Sequence, residues 1–371
     1  MSTFVPPIRA DLANEVPYGA PQLDVPVRLN VNENPFALPP ELAQAMGAAV
    51  AAIAPELNRY PDREAVELRG ELAKYLKSES GVDVSANQVW AANGSNEVMH
   101  QLFLAFGGPG RTAISFDPTY SMYPEYARDT FTKYLTHARN EDFSIDVPVA
   151  VQVIAEEKPS IVLLTSPNNP TGTALATSDI VAILDAGLAA NAVVVVDEAY
   201  AEFRRAGTPS ALELLETYPN LMVSRTMSKA FGLAGARLGY AVASTALIDA
   251  LRIVRLPYHL SAVTQVVAIT ALQHASVLQA QVATLRDERD ALSAWLNEQG
   301  YRVAQSDANF ILFGRFKDRD VVWQSLLDQG VLIRQTGPKG WLRVSVGTPE
   351  ENDRFRAALQ QAPGTEQEAQ R

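Results

Sequence analysis

Residues 224–240 read S-R-T-M-S-K-A-F-G-L-A-G-A-R-L-G-Y, with Lys229 at the centre. A lysine amine is protonated and strongly hydrated at neutral pH, so it does chemistry only with help. Thr226 and Ser228 place hydroxyls just before it, and Arg237 follows eight positions later. Gly232, Gly235 and Gly239 loosen the backbone between and beyond them. Two hydroxyls and an arginine suit a phosphate, and a lysine that forms a Schiff base needs such a set to hold an aldehyde cofactor still. A surface lysine beside a small-residue turn is the plainer reading of Ser228-Lys229 alone, so the rest of the chain has to decide.

Composition narrows the field. The chain has 371 residues, enough for two domains, with 47% hydrophobic and 20% charged residues as in a globular protein. A net charge of −11 argues against a nucleic-acid or anionic-membrane surface, though not against a local basic pocket. There is no cysteine, which excludes disulfides, thiolate nucleophiles and cysteine metal sites and fits a cytoplasmic address. The first residues lack the apolar core of a signal peptide, and no apolar run reaches membrane-spanning length. The four histidines, His100, His137, His259 and His274, have no ligand spacing, so no metal site is expected.

Along the chain, residues 1 to about 30 are rich in proline, lack periodicity and carry Tyr18 in a short turn. Residues 29–36, L-N-V-N-E-N-P-F, read as a loop containing Asn34. Residues 40–54 and 64–75 read as helices, the second with Val66, Leu68, Leu72 and Tyr75 facing inward. Tyr60 stands in the turn N-R-Y-P-D, where it is a half-buried aromatic or something more. Gly94, Ser95 and Asn96 form a small-residue turn entering an amphipathic helix, whose free N–H groups and positive end suit a phosphate as well as a plain cap. Strands at 112–116, 161–165, 192–196 and 221–224 are each followed by polar chemistry: Tyr120, then Asn169 in S-P-N-N-P-T-G, then Asp197 and Tyr200 in D-E-A-Y, then Lys229. Strands alternating with helices imply a parallel sheet, whose carboxyl edge gathers ligand-binding groups. An ionised aspartate after a strand buried on both faces needs a partner. Beyond residue 261 come long helices to Gly300, then short strands and helices. A capping box at Thr348-Pro349-Glu350-Glu351 opens the last helix. Residues 363–371 read as a disordered polar tail. Arg334 ends one strand and Arg343 lies within another, W-L-R-V-S-V-G. An arginine there requires either an internal carboxylate or an anionic ligand.

Together with the lysine segment, these strings resemble the motifs of histidinol-phosphate aminotransferases, pyridoxal-phosphate enzymes of the aspartate-aminotransferase fold, from Leu29 to about Glu351. One departure is mild: Ala236 stands where that family often has leucine. The fold implied is α/β, fold type I: a large domain with a mostly parallel sheet and a smaller α+β domain. The boundaries expected are an arm over residues 1–45, the cofactor domain over 46–260 and the small domain over 261–371.

The resemblance also implies roles. Lys229 carries pyridoxal 5'-phosphate as a Schiff base and, once freed by the amino donor, moves a proton between substrate and cofactor. Asp197 pairs with the protonated pyridine nitrogen, Asn169 and Tyr200 bind the phenolic oxygen, and Tyr120 stacks on the ring. Gly94, Ser95, Asn96, Thr226, Ser228 and Arg237 hold the phosphate, joined across a homodimer interface by Tyr60 of the other subunit. Tyr18, Asn34, Tyr258, Arg334 and Arg343 belong to the substrate side, with packing an equal reading for Tyr258. The reaction implied is ping-pong transfer between histidinol phosphate and 2-oxoglutarate, in histidine biosynthesis. An aromatic amino-acid aminotransferase, a phosphothreonine decarboxylase and a cofactor-binding regulatory module without turnover remain as alternatives.

Overall fold

The computed structural model describes residues 4–367. Its strands are β1 (Val27–Arg28), β2 (Val89–Ala92), β3 (Thr112–Asp117), β4 (Lys133–Ala138), β5 (Ile161–Thr165), β6 (Val193–Asp197), β7 (Leu221–Thr226), β8 (Gly239–Ala243), β9 (Arg302–Val303), β10 (Phe310–Gly314), β11 (Val331–Leu332) and β12 (Trp341–Ser345). Seven of them form one sheet in the order β2-β8-β7-β6-β5-β3-β4. Only β8 runs against its neighbours, so the sheet is mostly parallel. Every residue of β2, β5, β6, β7 and β8 is buried, because helices cover both faces. Each fully buried valine of β6 contributes about 1.5–3 kcal/mol of transfer free energy. The edge strand β4 has no buried residue, its side chains being half-buried or exposed.

A second sheet, β12-β10-β9, is antiparallel, and β1 pairs in parallel with β11. The arm is therefore stitched to the C-terminal part of the chain. The Pro40–Ile53 and Val66–Ser80 helices pack into the main core with Ala262–Gln273. Within the Val66–Ser80 helix, Leu68, Leu72 and Tyr75 are buried as expected, but Val66 is 59% exposed. The helical turn takes it to the outer face and brings Leu76 inward instead. The Thr348 capping box is formed, with Pro349 at the first helical position.

The tail expected to be disordered from residue 363 is laid down as far as residue 367. Phe316 pairs with Gln367, and the Lys317 ammonium meets Glu366 at 2.9 Å. Residues 368–371 lie outside the described residues. No single helix among the described residues is long and apolar enough to cross a membrane, and no group of carboxylates and histidines there could hold a metal.

Candidate active site

Strand order assembles the site. β3, β5, β6 and β7 are consecutive in the sheet, so the segments after them meet at one edge. Pairing aligns Thr165 with Asp197 and Asp197 with Ser224. A second row runs Ala92, Gly239, Thr226, which sets the turn after β2 beside the segment after β7. Between these edges and the second sheet lies a cleft of about 420 Å³. Tyr18, Ser95, Asn96, Tyr120, Asn169, Asp197, Tyr200, Thr226, Ser228, Lys229, Arg237, Arg334 and Arg343 all line it.

The Ser95–Phe106 helix opens behind Gly94 without a side-chain cap, leaving its first N–H groups for a ligand. Gly94 has φ +80°, and a Cβ there would sit 2.6 Å from the Arg237 guanidinium. Gly239 is tighter still: a Cβ would lie 2.1 Å from the Ser95 nitrogen. Glycine at both points lets the turn, β8 and Arg237 converge. Thr226 Oγ1 donates to Ser228 Oγ at 3.0 Å, and Arg237 Nη1 approaches the same oxygen at 3.5 Å. This cup of N–H, hydroxyl and guanidinium donors has the chemistry of a phosphate site.

The Lys229 ammonium donates to the Val31 carbonyl at 2.9 Å. Burial first, and the Arg343 charge second, pull it down from 10.5 to about 8. Asp197 is 5% exposed and touches no cation among the described residues. Burial raises its carboxyl from 3.8 to about 6, against the opposing hydrogen bonds from Tyr123 Oη (3.0 Å) and the Ala199 N–H (3.2 Å). An acid so placed awaits a buried cation. The Tyr200 hydroxyl accepts from Asn32 Nδ2 at 3.0 Å and from Asn169 Nδ2 at 3.4 Å. Tyr120 is anchored to Asn96 Oδ1 at 3.2 Å. A basic pocket facing a buried acid across a slot bounded by tyrosine fits a phosphorylated pyridine aldehyde.

On the far wall, Arg334 and Arg343 exchange backbone hydrogen bonds at 2.9 Å. Neither makes an ion pair among the described residues, which removes the internal salt bridge left open by the sequence. Arg343 binds Asn169 Oδ1 and the Asn30 carbonyl, and its Nε is buried without a partner. Burial holds its guanidinium down at about 10. Tyr18 reaches over from the arm to Ser121 at 2.8 Å.

Three expected residues are not brought into the cleft. Tyr60 and Tyr258 stack on each other, 4.4 Å between rings, on the surface and 79% and 42% exposed. Asn34 is consumed locally: its Oδ1 accepts from Phe36 N at 3.0 Å and its Nδ2 faces the Ala230 carbonyl. Its neighbour Asn32, in the left-handed conformation at φ 56°, holds Tyr200 in its place. Sequence reasoning also passed over Asn30, whose carbonyl braces Arg343, and Tyr123, which bonds Asp197. Asn30 and Asn32 read as turn formers. Tyr123 stands three residues after Tyr120, across the turn that precedes its helix, and the two rings meet edge to face, 5.6 Å apart.

The family model described as aminotransferase class I and II matches residues 25–359. The chain is 60% identical over 358 residues to the histidinol-phosphate aminotransferase of Thermobifida fusca, covering 96% of each. It is 57% identical over 368 residues to that of Bifidobacterium adolescentis, covering 95% of this chain and 94% of that one. Among solved structures, the Sinorhizobium meliloti histidinol-phosphate aminotransferase in complex with pyridoxal-5'-phosphate superposes with a TM-score of 0.81 over 90% of each chain. At 24% identity, that likeness bears on the fold. A Thermus thermophilus aspartate aminotransferase mutant gives 0.78 at 25% identity, over 90% of this chain and 94% of that one.

Proposed function

We propose, from the premise that this chain belongs to the class I and II aminotransferases, that it is a pyridoxal-phosphate-dependent histidinol-phosphate aminotransferase, with 2-oxoglutarate as acceptor. The observation that carries the reading is the opposed pair in one slot, Asp197 without a cation and Lys229 with a lowered affinity for its proton. High identity to the histidinol-phosphate aminotransferases of two other organisms supports the substrate.

When bound, pyridoxal phosphate supplies an electron sink for the substrate carbon that loses its proton. The chain's own residues do the rest. Ser95, Asn96, Thr226, Ser228 and Arg237 bind the phosphate, with Gly94 giving them room. Asp197 holds a proton on the ring nitrogen. Asn169 and Tyr200 orient the phenolic oxygen, and Tyr120 covers the ring. Lys229, neutral in appreciable fraction just below its lowered pKa, would take the proton from the substrate carbon and deliver it to the cofactor's C4′ carbon. Arg343, with Arg334 beside it, binds the phosphate of one substrate and a carboxylate of the other. A guanidinium fork matches both anions, so one site serves both half-reactions.

The active unit in this reading is a cytoplasmic homodimer. Tyr60, Tyr258, Ile253 and Leu256 are large exposed apolar groups, and Tyr60 lies outside its own chain's cleft, free to serve a partner's phosphate cup. One preparation tests the whole reading. Light scattering is expected to return a dimer. Histidinol phosphate with 2-oxoglutarate is expected to yield glutamate far faster than phenylalanine does. Carbon dioxide released from phosphothreonine, preference for phenylalanine, or binding without turnover would each select a rival function. A monomer with full activity would remove the role of Tyr60.

A further inference from the structure

We propose that Tyr123 is a positioning residue for this reaction: it ends a directed chain of hydroxyls that aims one proton at Asp197 and so fixes that carboxylate for the cofactor's ring nitrogen. The proposal rests on the reading of Asp197 given above. Tyr123 opens the Tyr123–Asp129 helix and is fully buried. Its hydroxyl lies 3.0 Å from Asp197 Oδ2 and 2.9 Å from Thr165 Oγ1, and Thr165 lies 3.1 Å from Thr119 Oγ1. Thr119 and Thr165 line the cleft.

Proton counting sets the direction of this chain. An ionised carboxylate only accepts, and a hydroxyl carries one proton. The Tyr123 proton therefore goes to Asp197. The Thr165 proton then goes to Tyr123, and the Thr119 proton to Thr165. Three donors pointing one way polarise one another. Burial, with the Asp197 charge behind it, pushes the phenol well above its ordinary range, so it keeps the proton it donates.

The support matters because Asp197 has so little else. Its other oxygen takes the Ala199 N–H, and no cation touches it among the described residues. Of the titratable groups around it, Glu198 is engaged by Arg225 on the other side of the strand. The phenols of Tyr120 and Tyr200 face it without bonding it, held by Asn96 on one side and by Asn32 and Asn169 on the other. Among the described residues, Tyr123 is thus the one side chain that donates to Asp197. Its ring sits in an apolar cluster with Phe103, Leu163 and Val195, so phenylalanine keeps the packing and removes only the proton.

The experiment measures pyridoxal-phosphate affinity of the apo-protein against pH, by equilibrium dialysis, with thermal melts as a folding control. It uses Tyr123→Phe, Thr165→Val, Asp197→Asn and the double variant Tyr123→Phe/Asp197→Asn. Tyr123→Phe is expected to weaken binding about ten-fold at neutral pH, the loss of one hydrogen bond to a charged group. The acid limb of binding should move up by about one pH unit. Thr165→Val, which cuts the chain one step back, is expected to act in the same direction by about two- to three-fold. On the Asp197→Asn background, Tyr123→Phe should add less than about two-fold, because the two act as one unit. Unchanged affinity in Tyr123→Phe overturns the proposal. So does a ten-fold loss that persists on the Asp197→Asn background, which would mark Tyr123 as merely structural. If Asp197→Asn alone binds cofactor and turns over normally, the reading of Asp197 itself is what fails.

Discussion

Two buried arginines, Arg225 and Arg343, live under opposite rules. Arg225 lies in β7 and is fully buried. It gives Nε and Nη2 to Glu198 at 3.0 and 2.8 Å and Nη1 to Glu79 at 2.7 Å. Burial would lower its proton affinity, but the carboxylates around it win and hold it well above the ordinary range. Arg343 is 6% exposed and has amide oxygens but no carboxylate, so burial wins and its affinity falls. Adjacent residues of one strand end repeat the contrast: Glu198 is held by Arg225, while Asp197 faces the cleft with no cation among the described residues. A charge already answered inside the protein maintains the fold. A charge left unanswered is kept for a guest.

That contrast can be broken experimentally. The largest effect is expected from Arg225→Met, which leaves Glu198 and Glu79 buried without that partner. It should cost about 3–5 kcal/mol in urea unfolding. A loss below about 1 kcal/mol would mean that the neighbouring Arg204, which already reaches both acids, takes over.

Next comes Asp197→Asn in the apo-protein. Because the carboxyl is raised from 3.8 to about 6 in the folded state, its ionised form carries a cost that is complete above pH 6 and gone below pH 3.8. The variant should therefore unfold up to about 3 kcal/mol harder than wild type at pH 7. That advantage should fade as the pH falls through this window. An advantage independent of pH would show that the acid is not the cause.

The smallest change is expected from Arg343→Gln. Anionic substrates should lose about 10- to 100-fold in KM, the worth of one or two charged hydrogen bonds, while unfolding stability stays level. A large stability loss would place Arg343 with Arg225, among the arginines that maintain the fold.

Much of this was legible in the sequence. Asp197, Asn169, Tyr120 and Lys229 could be found because each follows an apolar run short enough to be a strand. Parallel strands then gather such positions at one edge without further information. Arg343 was legible because an arginine within an apolar strand demands an anion, but the identity of that anion was not. Partners depend on packing between elements far apart in sequence, and Glu79 and Arg225 are separated by 146 residues. The strand β8 was passed over altogether: G-Y-A-V-A follows directly on the lysine segment and carries no mark of its antiparallel pairing. The strands β2 and β4 were also passed over, one being half alanine and the other a half-exposed edge. Asn32 and Asn34 are chemically identical and two residues apart. Only the left-handed turn at Asn32 decides which one faces Tyr200.

Gly239 bears on how this scaffold can be diversified. The cup of donors around Arg237, proposed above to hold a phosphate, is walled there by bare backbone, with 2.1 Å between an imagined methyl and the Ser95 nitrogen. No substitution can tune the pocket from that side; the smallest side chain would wedge the turn off the sheet. Libraries aimed at new substrates should leave position 239 untouched and spend their diversity on the opposite wall, around Thr336 and the arm.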